Sequence, residues 1–182
     1  MLNTDGMNTD DVLKIARNAF AERKLKDVVV ASTRGPTGLA AAKLFTDLSA
    51  NVVVVAHSVG FREPNANEFG SEVKQEIEKL GGFVLLGTMP FHTINDAIAK
   101  KMGSSAETLI ADALRMMGQG TKVCAEIVAM ACDAGLVESG RNVLAIAGTG
   151  RGADTVLIVR SANSRRFFDL KIVDVIAKPQ TY

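Results

Sequence analysis

Two periodicities alternate along this chain. From Thr9 to about Arg23 apolar residues recur every three to four positions. Val12, Ile15, Ala16, Ala19 and Phe20 then share one face, which predicts an amphipathic helix. Thr9 suits its N-cap, and Asp10 and Asp11 suit the positive end of its dipole. The run Asp27-Val28-Val29-Val30-Ala31-Ser32 is instead continuous and β-branched, the mark of a strand buried on both faces. A helix is predicted over 37–48, a second buried strand over 51–56, a charged amphipathic helix over 71–80 and a third strand over 83–87. A long helical stretch follows. Ser104-Ser105-Ala106-Glu107 reads as a capping box opening a fresh helix to about Met117, and a further helix runs over 121–134, with Gly135 as its stop. Strands over 142–147, 154–160 and 170–177 complete the pattern.

Successive strand–helix units predict a parallel sheet with right-handed crossovers, covered on both faces. The fourth and fifth strands are joined by too short a segment for a helical crossover, so an antiparallel hairpin is expected there. The fold class is α/β, a three-layer α/β/α sandwich with a mainly parallel sheet and an antiparallel hairpin near the C-terminal end. Neither repeat nor linker divides the 182 residues, so 1–182 reads as one domain, with 1–7 as a loose extension.

Composition changes this picture little. The formal charge is +1, so no general attraction to nucleic acid or to an anionic membrane is expected. No apolar run approaches the roughly 20 residues that cross a bilayer. The first residues lack the layout of a signal peptide, and a cytoplasmic location is the default expectation. Cys124 and Cys132 fall in one helix, about 12 Å apart at 1.5 Å rise per residue, too far to pair there and poorly spaced for a metal. They read as small core side chains, and no metal site is expected.

The candidate chemistry lies in three loops that leave strand ends, where ligands bind in open α/β sheets. Ser32-Thr33-Arg34-Gly35-Pro36-Thr37-Gly38 joins a buried strand to a helix start. Its glycines permit close backbone approach, its free amides and the dipole favour an anion, and Ser32, Thr33, Thr37 and Arg34 add donors. It reads as a phosphate cradle or as a tight turn capped by Thr37; it lacks the Gly-Lys-Ser/Thr ending of a Walker A loop. In the long loop His57-Ser58-Val59-Gly60-Phe61-Arg62-Glu63-Pro64-Asn65, His57 points into any crevice at the strand end and Phe61 suits the cover of a flat ring, with Gly60 beside it. His57 reads as a ligand contact, a loop-packing residue or an acid–base group. Gly148-Thr149-Gly150-Arg151-Gly152-Ala153-Asp154 has glycines at every second position. It reads as a flexible hairpin connection or as a backbone surface facing a ligand, with Arg151 as a cation and Asp154 as an acceptor for ligand hydroxyls.

Other residues carry weaker signals. Lys122, Cys124 and Glu126 lie near a helix start, where an anion or a lowered thiol pKa is conceivable. Met89-Pro90-Phe91-His92-Thr93 follows the third strand, either as part of a site wall or as punctuation of the fold.

The chain resembles the stand-alone archaeal proteins related to the pyruvate kinase C-terminal α/β domain. The stretches that carry the resemblance are Val29-Val30-Ala31-Ser32, Gly120-Thr121-Lys122-Val123-Cys124-Ala125-Glu126-Ile127, Gly150-Arg151-Gly152-Ala153-Asp154-Thr155 and Arg166-Phe167-Phe168-Asp169. The resemblance implies a phosphate ligand at 32–38 and, in the stand-alone family, flavin mononucleotide (FMN) in the crevice. It does not imply pyruvate kinase activity, which resides in a separate barrel. The leading expectation is a protein that binds FMN or a similar phosphorylated small molecule. Ser32, Thr33, Arg34, Gly35, Thr37 and Gly38 would hold the phosphate. His57, Gly60, Phe61, Gly148, Thr149, Gly150, Arg151, Gly152 and Asp154 would line the remainder. The alternatives are a non-catalytic module sensing a sugar phosphate, and an enzyme acting through His57 or Cys124. Whether the chain is an enzyme, and whether it forms a homo-oligomer, the sequence leaves open.

Overall fold

The β-branched runs form the strands they predict, and the computed structural model describes residues 1–181. The strands are β1 (Leu2–Asn3), β2 (Asp27–Ala31), β3 (Asn51–Ala56), β4 (Phe83–Leu86), β5 (Asn142–Ala147), β6 (Thr155–Arg160) and β7 (Lys171–Lys178). The helices are α1 (Thr9–Glu22), α2 (Pro36–Phe45), α3 (Ser71–Lys79), α4 (Ile94–Met102), α5 (Ala106–Arg115) and α6 (Gln119–Asp133). One sheet contains all seven described strands, in the order β1-β7-β6-β5-β2-β3-β4. β2 pairs in parallel with both β3 and β5, and β3 in parallel with β4. β6 lies antiparallel to β5 and to β7, so the expected hairpin is present.

The chain steps outward from β2 to β3 and β4, then returns to place β5 on the other side of β2. Strand order therefore reverses between β2 and β5, which opens a crevice at their carboxyl ends.

The period of two along each strand sorts its side chains between two cores. Val28, Val30, Val52, Val54, Leu144 and Ile146 pack against α1, α2 and α3. Val29, Val53, Val55, Val143 and Ala145 pack against α6. In the first core Phe20 meets Phe45 edge to face at 5.3 Å, and Phe45 is fully buried, worth about 1.5–3 kcal/mol. Helix α6 is buried almost all round because the sheet covers one side and α5, with the 3-10 turn Ser164–Asp169, covers the other.

The structure corrects several sequence expectations. Residues 1–7 are not a loose extension: Leu2 and Asn3 pair with Ala177 and Lys178, and Thr4 is buried and donates its hydroxyl to the Asp154 carbonyl at 2.7 Å. Asn8, not Thr9, caps α1, accepting from the Asp11 amide at 3.0 Å. Ser105, not Ser104, caps α5, accepting from the Thr108 amide at 3.2 Å. α2 starts one residue early because Pro36 occupies its first turn, where the missing N–H costs nothing. Among the described residues no helix is long and apolar enough to cross a membrane.

Candidate functional site

The carboxyl ends of β2, β3 and β5 open on one cavity of about 620 Å³, within the size range of small-molecule sites. The loops after β2 and β5, distant in sequence, face each other across it. His57, Phe61 and Arg62 from the loop after β3 form a third side. Met89 and His92, after β4, close the far end. One face of α6, carrying Gln119, Val123, Glu126, Ile127 and Met130 at helical spacing, makes the floor.

At the rim, Ser32, Thr33, Arg34 and Thr37 line the cavity. The first-turn amides of α2, those of Thr37 and Gly38, have no intrahelical carbonyl to bind, and the dipole favours an anion there. Gly35 and Gly38 are not lining residues. A Cβ on Gly38 would clash with Val54 of β3, so this glycine lets α2 lie close on the sheet. Gly35 has φ +112° and backs onto Val73, so it serves the turn itself.

Across the cavity, Gly148, Thr149, Gly150, Arg151 and Gly152 all line the wall. Their alternate glycines have unlike roles. A Cβ on Gly148 would strike the Gly152 carbonyl, and one on Gly152 would strike the Thr9 hydroxyl, so both serve the closure of the loop. Gly150, at φ +85°, has open space around it and presents backbone to the cavity. Asp154, expected to meet ligand hydroxyls, is instead a latch. Its carboxylate accepts from the Thr149 hydroxyl at 3.1 Å and the Thr155 hydroxyl at 2.6 Å, and its amide donates to the Ala147 carbonyl at 2.9 Å. Thr9 holds the same loop, accepting from the Ala153 amide at 3.2 Å.

His57 sits between the rim and Phe61. Its Nδ1 lies 3.0 Å from Glu68 Oε2, its Nε2 lies 3.5 Å from the Thr33 hydroxyl, and its ring centroid lies 4.2 Å from that of Phe61. Arg62 Nε also reaches Glu68, at 3.2 Å. Gly60 turns the loop at φ +80°, donating to the Ala66 carbonyl at 2.9 Å, and does not line the cavity.

The floor holds a network that the sequence only half announces. Lys122 is fully buried; its Nζ donates to Glu126 Oε2 at 2.6 Å and stands 2.5 Å from His92 Nδ1. Glu126 Oε1 accepts the Phe91 amide at 2.7 Å. Burial pulls the Lys122 ammonium below its ordinary value, and the Glu126 charge opposes that pull. Burial pushes the Glu126 carboxyl up, but its contacts with His92, Lys122 and the Phe91 amide, with the Lys122 charge, hold it net below its ordinary value. Lys122 and Glu126, four apart among the apolar residues of α6, were the available signal. Nothing local pointed to His92 as their partner.

Cys124 is not a nucleophile in waiting: complete burial, with Asp154 second, pushes its thiol well up. Cys132 is likewise pushed up to about 11 by burial. Among the described residues no group of three or more His, Cys, Asp and Glu could hold a metal ion.

No protein-family model matches the chain. It is similar to solved structures of a pyruvate kinase from Cryptosporidium parvum, one of them in complex with ADP, at 17% identity over 85% of this chain, with TM-scores of 0.45 and 0.46. The chain spans only 23% and 24% of the length of those structures. It is also similar to Escherichia coli diaminopropionate ammonia lyase in apo form, at 17% identity over 74% of this chain and 41% of that one, with a TM-score of 0.31.

Proposed function

We propose that this protein binds a phosphorylated small molecule in the cavity at the ends of β2, β3 and β5, with FMN as its first candidate. One observation carries the reading: the cavity is bipolar. Its rim joins the start of α2 to Arg34 and Arg151, and neither guanidinium is paired with a carboxylate among the described residues. Its interior is an apolar slot between Phe61, Met89, Val123, Ile127 and Met130. A phosphate fits the first end and a flat ring the second. Ser32, Thr33, Thr37 and the Gly150 backbone would hold the phosphate end; Phe61 and the two methionines would flank the ring. A bound flavin would supply redox chemistry, while the chain's own residues bind, orient and shield it. We infer a cytoplasmic location, as a compartment in which such a phosphorylated ligand would be met.

A second reading, a non-catalytic module sensing a sugar phosphate, draws on the polar pair His92 and Glu126 at the far end, which suits ligand hydroxyls. The test is fluorescence titration of the purified chain with FMN, with mass spectrometry of whatever copurifies. Yellow protein, or quenching at micromolar FMN, supports the first reading. Colourless protein that FMN leaves unchanged but that sugar phosphates stabilise against heat supports the second. Protein indifferent to both overturns the phosphate-ligand reading.

A further inference from the structure

We propose that the cavity is an acid–base catalytic site, in which His57 Nε2 takes a proton from a phosphorylated carbonyl compound while His92 Nε2–H holds the carbonyl oxygen. The proposal rests on the cavity taking a phosphorylated ligand and is independent of whether FMN is one.

The chain contains two histidines, and both line this cavity. They flank Phe61, whose ring centroid is 4.2 Å from that of His57 and 6.2 Å from that of His92. Their nearest back partners are chemically opposite. Behind His57 stands Glu68, a carboxylate that only accepts, 3.0 Å from Nδ1. Nδ1 therefore carries the proton, and Nε2 turns a lone pair toward Thr33 at a loose 3.5 Å. Behind His92 stands Lys122, an ammonium that only donates, 2.5 Å from Nδ1 and fixed by Glu126, whose Oε2 lies farther from the same nitrogen, at 3.4 Å. His92 Nδ1 therefore accepts, and its proton sits on Nε2. Arg115 Nη2, 3.5 Å from that Nε2, is another donor and cannot satisfy it. One imidazole thus offers a base and the other an acid, each tautomer set by the group behind it.

The chemistry this pair suits is enolisation. The C–H bond next to the carbonyl breaks, and its proton goes to His57 Nε2. The electron pair forms a C=C bond as the carbonyl π electrons move onto oxygen, which the His92 Nε2–H steadies. Reversal returns the proton to carbon without any oxidant or reductant. The phosphate, at the rim, places the carbonyl over Phe61.

The experiment incubates the full chain in deuterium oxide with dihydroxyacetone phosphate, glyceraldehyde 3-phosphate and arabinose 5-phosphate. NMR follows loss of the proton next to the carbonyl, and calorimetry measures binding of the same probes. The expected result is exchange of at least one probe well above the buffer rate. His57→Gln and His92→Gln should each slow it about a hundredfold, in the range of general acid–base catalysis, with probe affinity changed less than about threefold. His57→Gln, in a surface loop, decides the matter should His92→Gln fail to fold. Binding without exchange, or exchange that survives His57→Gln, overturns the proposal and leaves the ligand reading intact. Absence of binding by all three probes overturns the carbonyl-phosphate class, and the FMN titration then judges the ligand reading by itself.

Discussion

The rim and the floor of the cavity are built on opposite principles. The rim consists of backbone amides, hydroxyls and two exposed guanidiniums on loops that leave neighbouring strand ends. The floor also holds charge taken out of water: a fully buried lysine paired with a buried glutamate, with a half-buried histidine against the lysine, at contacts of 2.6 and 2.5 Å. The rim attracts an anion without being damaged by its absence, because solvent satisfies its groups. The floor cannot be left incomplete, because each of its charges depends on the others. Mutations should therefore separate the regions: rim changes alter affinity, floor changes alter stability as well.

The largest expected effect tests the floor. Lys122→Met leaves Glu126 as an uncompensated buried carboxylate and should cost about 3–5 kcal/mol. The double variant Lys122→Met with Glu126→Leu should recover most of that, short of about 1 kcal/mol for the acceptor lost by the Phe91 amide. Calorimetric melting of both variants is the measurement. A single variant no worse than the double would mean that the pair is not coupled. The pH dependence has a definite sign. The Glu126 carboxyl is held below its ordinary 4.5 in the folded chain, so its stabilisation is complete above that pH and disappears as pH falls through the lowered folded value. The urea midpoint should drop in that acid window, and Glu126→Gln should remove this part of the drop.

Next in size is a contrast within the rim. Gly38→Val drives a side chain into Val54 and should cost about 1–3 kcal/mol of stability. Gly150→Asn tolerates the positive φ, meets open space, and should change stability by less than about 0.5 kcal/mol while weakening FMN binding. If Gly38→Val melts like the unaltered chain but loses ligand, its glycine serves the ligand after all.

The division also explains what could be read from the sequence. The sheet was legible because 27–32, 51–56 and 142–147 are continuous apolar runs with turn signals at both ends. The rim was legible because topology alone sends the ends of β2 and β5 to one edge. The errors arose where a long-range partner outcompetes a local rule. Thr9 looks like a cap, but its hydroxyl is taken by Ala153 and Asn8 does the capping. Asp154 looks like a ligand acceptor, but threonine hydroxyls already occupy its carboxylate, one on each oxygen. Leu2 and Asn3 are too few to announce a strand, and form one because β7 offers an edge. His92 follows a short strand with no pattern of its own, and only packing of that segment on α6 brings it to Lys122.

The smallest expected effect sharpens the rim itself. Arg34 and Arg151 stand on loops that face each other, and both are exposed. If both guanidiniums meet one phosphate, removing either should weaken FMN binding about tenfold, near 1.4 kcal/mol, because a charge-assisted hydrogen bond in partial contact with solvent is worth about that much. The two losses would not add, since one guanidinium relaxes toward the phosphate when the other is gone. Neither Arg34→Gln nor Arg151→Gln should shift the melting temperature of the ligand-free chain, because both are exposed and neither is in an ion pair among the described residues. Raising salt from 50 to 500 mM should weaken binding to the unaltered chain more than to either variant, as expected when exposed charges supply the attraction. Equal salt sensitivity in all three proteins would place the phosphate on the amides of α2 alone. Unchanged affinity in Arg151→Gln would leave the loop after β5 as a wall of the cavity without a share in the anion.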